Sequence, residues 1–204
     1  MKILHISDTH GQHNRLRNLP EADVLVHSGD FSFDGSQQEV IDFLNWFVAL
    51  PYKHKIFVTG NLDMCLEDGT VDGLPQNCHD LRYESVIIEG VKFHGIPMFM
   101  GRCVSGYNDW AIKQIPGDTD ILVSHTPPLG ILDFDDNILY GSKELLTKVE
   151  KIKPRYHLFG HIHANNGIAT QGSTTFVNSA IVNTIYSDLQ PWHLLEIQPY
   201  ALKL

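Results

Sequence analysis

Short apolar runs punctuate the chain at Lys2–Ser7, Asp23–Ser28, Lys55–Thr59, Asp120–Ser124, Tyr156–Phe159, Thr174–Asn178 and Trp192–Ile197. Several are continuously apolar rather than alternating, the pattern of strands buried on both faces. Ser85–Glu89 and Val91–Gly95 read as a hairpin turning at Glu89-Gly90. Two segments carry a helical period instead. In Gln37–Leu50, Val40, Ile41, Leu44, Phe47 and Val48 share one face, Ser36 and Glu39 form a capping box, and Pro51 closes the helix. In Ser142–Ile152, Leu145, Leu146, Val149 and Ile152 share a face and Pro154 ends it. A third, short helix is expected near Trp110–Gln114. Helices alternate with strands early and strands dominate later. The class is α/β (α+β), with two sheets or one mixed sheet flanked by helices. With no linker, repeat or low-complexity tract, residues 1–204 read as a single domain.

Candidate chemistry stands at the carboxyl ends of five of these runs. The run at Lys2–Ser7 leads into Asp8-Thr9-His10, Asp23–Ser28 into Gly29-Asp30, and Lys55–Thr59 into Gly60-Asn61. Asp120–Ser124 leads into His125, and Tyr156–Phe159 into Gly160-His161-Ile162-His163. Five strands thus each deliver a metal-competent residue to the end outside which open α/β sheets place their ligand crevice. Imidazole nitrogen and carboxylate oxygen suit Zn, Mn, Fe and Ni, and no thiolate is in the set. Seven candidates, Asp8, His10, Asp30, Asn61, His125, His161 and His163, fit two metal sites sharing one ligand, because a carboxylate can bridge two ions. No Gly-x-Ser-x-Gly or P-loop pattern supplies a competing chemistry.

Composition bounds the partners. Fifteen Lys and Arg against 24 Asp and Glu leave a net charge of −9, which argues against a partner whose nucleic-acid backbone must be tracked. Three cysteines, Cys65, Cys78 and Cys103, are too few for a disulfide framework and read as reduced thiols. No apolar run approaches the roughly 20 residues of a membrane span. Met1-Lys2 leads directly into the first strand with no signal-peptide core, so a cytoplasmic location is expected. The surplus to be explained is histidine, at twelve residues. His5, His157 and His193 lie within strands as packing positions, His27 could orient a ligand from behind, and His54 sits in a loop with no assigned role. Asp133, Asp135 and Asp136 read as a solvated acidic run.

The ordered set Asp-x-His, Gly-Asp, Gly-Asn, His and Gly-His-x-His resembles the calcineurin-like metallophosphoesterase superfamily. Asn108-Asp109-Trp110-Ala111, His125–Gly130 and Gly141–Leu146 look like its metallophosphoesterase-domain-containing branch, related to class III cyclic-nucleotide phosphodiesterases. The resemblance implies a four-layer αββα sandwich with two divalent ions at its rim, Mn, Fe, Zn or Ni, with Mn the natural choice in vitro. Asp8, His10, Asp30 and His163 would hold the first. Asp30, Asn61, His125 and His161 would hold the second, with Asp30 bridging. Asp30, Asn61 and His125 are the catalytic candidates. Asn108 and Trp110 would approach the site or, for Trp110, join the core.

Two such ions lower the pKa of a bridging water, whose hydroxide would attack phosphorus in line with the leaving oxygen. Two aspartates at −2, two ions at +4 and hydroxide at −1 leave a formal charge of +1, which a phosphodiester balances and a dianionic monoester overshoots. The expected activity is hydrolysis of a phosphodiester in a small, nucleotide-like substrate. One departure stands against it. The superfamily's third block usually reads Gly-Asn-His followed by Asp or Glu, and here it reads Gly60-Asn61-Leu62-Asp63. Leucine donates no proton to a leaving group, and general-acid help is worth about 10²–10⁴ in rate. Another group could substitute, with His13, His27, His79 and His94 spare. The enzyme could favour good leaving groups. Or the fold could be a weakly active or non-catalytic metal-binding scaffold.

Overall fold

The computed structural model describes residues 1–198. The chain opens with β1 (Lys2–Ile6), β2 (Val24–His27), α1 (Gln37–Ala49), β3 (His54–Phe57) and β4 (Cys78–Asp80). The hairpin β5 (Ser85–Ile88) and β6 (Val91–Ile96) comes next, then α2 (Met100–Val104), α3 (Tyr107–Gln114) and β7 (Ile121–Ser124). A two-stranded ribbon, β8 (Phe134–Asp135) and β9 (Ile138–Leu139), precedes α4 (Lys143–Ile152). The chain then runs through β10 (Tyr156–Phe159), β11 (Gly167–Gln171), β12 (Thr174–Asn178) and β13 (His193–Glu196).

These strands form two large mixed sheets, ordered β13-β1-β2-β3-β4 and β11-β12-β10-β7-β6-β5. In the first, β1 to β4 are parallel and only β13 is antiparallel. In the second, β6, β7, β10 and β12 are parallel, with an antiparallel strand at each edge. The continuous apolar runs are explained by three cores, because alternate residues of one strand face different layers. Ile3, Val24, Val26 and Ile56 meet Phe93, Val123, Leu158 and Val177 between the sheets. On the outer face of the first sheet, Leu4, Ile6, Leu25 and Phe57 pack with Val40, Phe43 and Phe47 of α1. On the outer face of the second, Leu122, Phe159 and Phe176 pack with Ile112 of α3 and Leu145 and Val149 of α4. The result is the four-layer αββα sandwich.

Several local expectations are corrected. Ser36 Oγ accepts from Glu39 N–H at 3.3 Å, but the Glu39 carboxylate does not return to Ser36. It accepts instead from the N–H groups of Phe33 and Asp34 (2.9 and 2.8 Å), so half of the capping box serves the preceding loop. Asp133 is not solvated: it is buried, and its Oδ2 accepts from Gly130 and Gly141 N–H, stapling that loop to the start of the α4 segment. His54 is the first residue of β3 rather than a loop residue. The short third helix is real and longer, running as α3, where Trp110 is 55% exposed and Asn108 accepts from Tyr83 Oη. Trp110 is therefore not a core residue. No helix of the described residues is long and apolar enough to cross a membrane.

Candidate metal centre

β1, β2, β3, β7 and β10 all deliver their next residues to one end of the sandwich. The loops after β1 and β2 run side by side there: Asp8 N–H donates to Gly29 O (2.9 Å), His10 N–H to Asp30 O (3.1 Å) and Gly11 N–H to Phe31 O (2.8 Å). The turn after β10 is tied to β7 by Gly160 N–H to His125 O at 3.2 Å. Four candidates sit in the left-handed backbone region, Asp8 (φ 54°), His10 (43°), Asp30 (53°) and His161 (70°). L-residues enter it at a cost, and such postures gather at functional sites. The glycines of two motifs serve close approach. A Cβ at Gly160 would overlap Asp8 Oδ2, and one at Gly60 would overlap Asp30 Oδ1.

Two clusters result, each with donor atoms within 4.8 Å of one another: Asp8, His10 and His163; and Asp30, His125 and His161. In the first, His10 Nε2 and His163 Nε2 lie 3.9 and 3.7 Å from Asp8 Oδ1 and 3.1 Å from each other. In the second, His125 Nε2 lies 3.5 Å from Asp30 Oδ2, and Asn61 Oδ1 joins it at 3.1 Å. All seven sequence candidates are thus brought to one rim. The clusters adjoin: His161 N–H donates to both Asp8 oxygens (3.1 and 3.0 Å), and the Asp30 charge acts on His10 as well as His125.

The chemistry of these donors fits divalent ions. Three imidazoles aim Nδ1 at a backbone carbonyl, His125 at Ser28 O (2.9 Å), His163 at Val182 O (2.6 Å) and His10 at Ser32 O (3.3 Å). Each contact keeps a proton on Nδ1 and turns Nε2 inward, the usual support of a metal-binding histidine. With that tautomer, the His10 and His163 lone pairs meet at 3.1 Å, which only a proton or a cation between them makes favourable.

Electrostatics agree. Burial pulls His161 down to about 4, helped by the His125 charge, and burial lowers His10 against the pull of Asp8 and Asp30. Burial alone would lower His125 too, but the Asp30 carboxylate outweighs it and raises His125 to about 9. Burial would raise Asp30, yet His125 holds it below the usual carboxylate range. With Nδ1 committed to Ser28 O, the second proton of His125 sits on Nε2 beside Asp30, the position a bound cation would take over.

Leu62 is half-buried and contributes backbone only: its N–H donates to Asp30 Oδ1 at 2.8 Å. None of the spare histidines stands in for the missing imidazole. His13 Nε2 faces Asp42 (3.2 Å), His94 Nδ1 meets Ser85 Oγ (2.8 Å), and His79 stacks with His54. His27 lies beneath the rim, where its Nδ1 accepts from Gly29 N–H and its Nε2 meets Thr9 Oγ1 at 3.1 Å. It supports the turn between Asp8 and His10 from behind. His5 and His157, expected as packing positions, do the same elsewhere. His5 Nε2 meets Ser28 Oγ (2.9 Å), and His157 Nε2 meets Ser124 Oγ (2.8 Å), each serine lying just before a motif.

Three further site residues are given no role by the sequence reading. Fully buried Asp63 accepts from the N–H groups of Gly60 (2.8 Å), Asp30 (2.9 Å) and Ser32 (3.0 Å) and from Ser32 Oγ (2.7 Å), clamping the turns after β2 and β3 together. Burial and the Asp30 charge push its carboxyl up to about 7. Its place after Leu62 in the third block was the one available hint. The rings of Tyr186 and Phe33 flank the first cluster, with centroids 5.1 and 6.4 Å from His10. Nothing in their sequence surroundings marks them.

A two-sheet sandwich gathers at its rim two histidine–carboxylate clusters that could each hold a metal ion. Residues 1–165 match the family model for calcineurin-like phosphoesterases, and the chain belongs to that family. It is 39% identical to a UPF0046 protein of Caenorhabditis elegans, over 89% of this chain and 75% of that protein. It is 31% identical to human metallophosphoesterase domain-containing protein 1, over 91% of this chain and 68% of the relative. A 3',5'-cyclic-nucleotide phosphodiesterase from a Nostoc species is 28% identical, over 73% of this chain and 59% of the relative.

Proposed function

We propose that the protein is a dimetal-dependent phosphodiesterase acting on a small, nucleotide-like phosphodiester. The observation that supports this most directly is the pair of adjoining clusters whose imidazole lone pairs converge. Asp8, His10 and His163 would hold one ion, and Asn61, His125 and His161 the other, with Asp30 between them. Bound there, two divalent ions supply Lewis acidity toward a phosphoryl oxygen and lower the pKa of a water.

The chain's own residues do the rest. Asp63 holds the Asp30 backbone, and Leu62 N–H holds the Asp30 carboxylate, so the central ligand arrives pre-oriented. The carbonyl-anchored imidazoles are already oriented toward a cation, and His125 gives up its Nε2 proton to accept one. Only Asp8 and Asp30 bring negative charge within the clusters. That weighs against a dianionic monoester and favours a diester. The Nostoc relative's name points the same way.

A second reading, a metal-binding scaffold with little turnover, draws on Leu62, which leaves the leaving-group side without an imidazole. Metal-stripped protein assayed against bis-p-nitrophenyl phosphate with added Mn²⁺, beside Asp30→Asn, separates the two. The hydrolase reading expects metal-dependent turnover that Asp30→Asn abolishes. Stoichiometric metal binding without turnover selects the scaffold.

A further inference from the structure

Two exposed rings stand at the mouth of the first cluster. Phe33 is 56% exposed and Tyr186 is 40% exposed. Their centroids lie 5.8 Å apart at 87°, so they form an edge-to-face corner. Tyr186 also lies against the ligand histidines, at 5.1 Å from His10 and 5.3 Å from His163. Isolated exposed aromatics are ordinary on a protein surface. A fixed pair bordering a ligand cluster is not a scattered surface feature.

Both rings are held by their backbones. The turn carrying Phe33 is tied by Phe33 and Asp34 N–H to Glu39 Oε2 and by Ser36 N–H to Asp34 Oδ1 (2.8 Å). The turn carrying Tyr186 is tied by Tyr186 N–H to Asn183 O (2.9 Å). Gln12 Nε2 donates to Tyr186 O (3.2 Å), and Arg15 Nη2 donates to Ser187 O (3.0 Å). Tyr186 itself takes φ 57°, a posture its surroundings must enforce. Segments from opposite ends of the chain are thus brought to one corner and fixed there. A pre-organised aromatic surface loses little entropy on binding. Ser32 Oγ donates to Leu62 O (2.9 Å), which joins the apolar Leu62 turn to the residue preceding Phe33.

We propose that Phe33 and Tyr186 form a stacking corner that receives a flat aromatic group of the substrate, carried next to the phosphodiester that the two clusters engage. This rests on the phosphodiester reading above and adds what the ester must carry. The aromatic group has two chemical sources, an aryl ester or a nucleobase, and both present the same π-face to the corner. The Leu62 departure bears on the aryl source alone: an aryloxide leaves with little protonation, whereas a nucleobase stays on its sugar and the leaving group is the sugar oxygen.

The test is titration calorimetry on Mn²⁺-loaded protein with diphenyl phosphate, diethyl phosphate and cyclic adenosine monophosphate. Diphenyl phosphate is expected to bind about tenfold tighter than diethyl phosphate. Phe33→Leu and Tyr186→Leu are each expected to remove about fivefold of that preference while leaving diethyl phosphate and metal content unchanged. Tyr186→Phe keeps the ring and should behave as the parent. Tight cyclic nucleotide binding that both leucine variants weaken names the nucleobase as the source. Binding of diphenyl phosphate alone names the aryl ester. Equal affinity for the phenyl and ethyl diesters, no binding of either, or a Tyr186→Phe loss as large as Tyr186→Leu overturns the proposal. Aromatic preference without any turnover of p-nitrophenyl diesters would sink the hydrolase reading and leave the corner standing.

Discussion

Two layers of histidine lie one above the other at the same end of the sandwich, and they use the imidazole in opposite ways. In the rim, His10, His125 and His163 commit Nδ1 to a carbonyl and turn Nε2 inward. In the floor, His5, His27 and His157 commit Nε2 to a hydroxyl of Ser28, Thr9 or Ser124. The rim sits among carboxylates, and one of its members holds a proton up to about 9. The floor sits among phenylalanines and β-strands, and burial keeps it neutral, with His157 held down to about 3. One residue type thus serves as candidate ligand or as scaffold according to whether its Nε2 is left facing inward or is committed to a hydroxyl.

The sharpest way to break this division is to truncate one member of each layer. His125→Ala should remove one equivalent of bound metal and lower diester turnover by about 10² or more, with a small change in melting temperature. His157→Ala should do the reverse, lowering stability by about 2–3 kcal/mol while both metal equivalents remain. Metal analysis and urea melts read the two outcomes, and equal metal loss in both variants would erase the distinction.

Next in size is Asp63→Asn. An amide replaces one of two oxygens that together accept four hydrogen bonds, so Asp30 loses its alignment. Metal affinity should fall about 10–100-fold although Asp63 belongs to neither cluster. Isothermal titration with Mn²⁺ checks this, and unchanged affinity would confine Asp63 to a folding role.

The floor also predicts an acid dependence. Its histidines have folded-state pKa values below the unfolded value near 6.5. Their contribution is complete above that pH and is lost as pH falls toward their folded values, because the unfolded chain takes up protons that the floor refuses. Each should cost about 1.4 kcal/mol per pH unit below about 6.5. Melts of metal-stripped protein from about pH 7.5 to about pH 4.5 test the slope, and a flat profile would refute a neutral floor.

The smallest effect is expected at Leu62. Leu62→His should raise turnover of alkyl diesters about tenfold and leave nitrophenyl diesters nearly unchanged, since only a poor leaving group needs the proton. Equal gains on both would remove the general-acid explanation.

Nine of the strands and the seven rim positions were legible because each is written locally, in an apolar run and the short motif after it, and three helices through their own period; the order of strands within the sheets was not. β4 and β11 were not, because Cys78–Asp80 and Gly167–Gln171 carry no apolar run and are strands only through their neighbours. Glu39 shows the limit of local grammar: it satisfied the capping-box spacing and then bonded to Phe33 and Asp34. The floor was hidden because a strand histidine looks alike whether it packs or bonds, and only the fold sets Ser124 beside His157. Tyr186 reaches His10 across a separation in sequence that no motif spans.

The left-handed postures of Asp8, His10, Asp30 and His161 carry an evolutionary consequence. The rest of the sandwich holds these four residues in a conformation that glycine, and to a lesser degree asparagine, would adopt with less strain. Selection for ligation and selection for robustness therefore pull in opposite directions at the same codons. In a lineage released from the need for metal, drift would not erode this end of the molecule at random. The conflict is sharpest at the two histidines among the four, whose rings are larger than the residues that region favours.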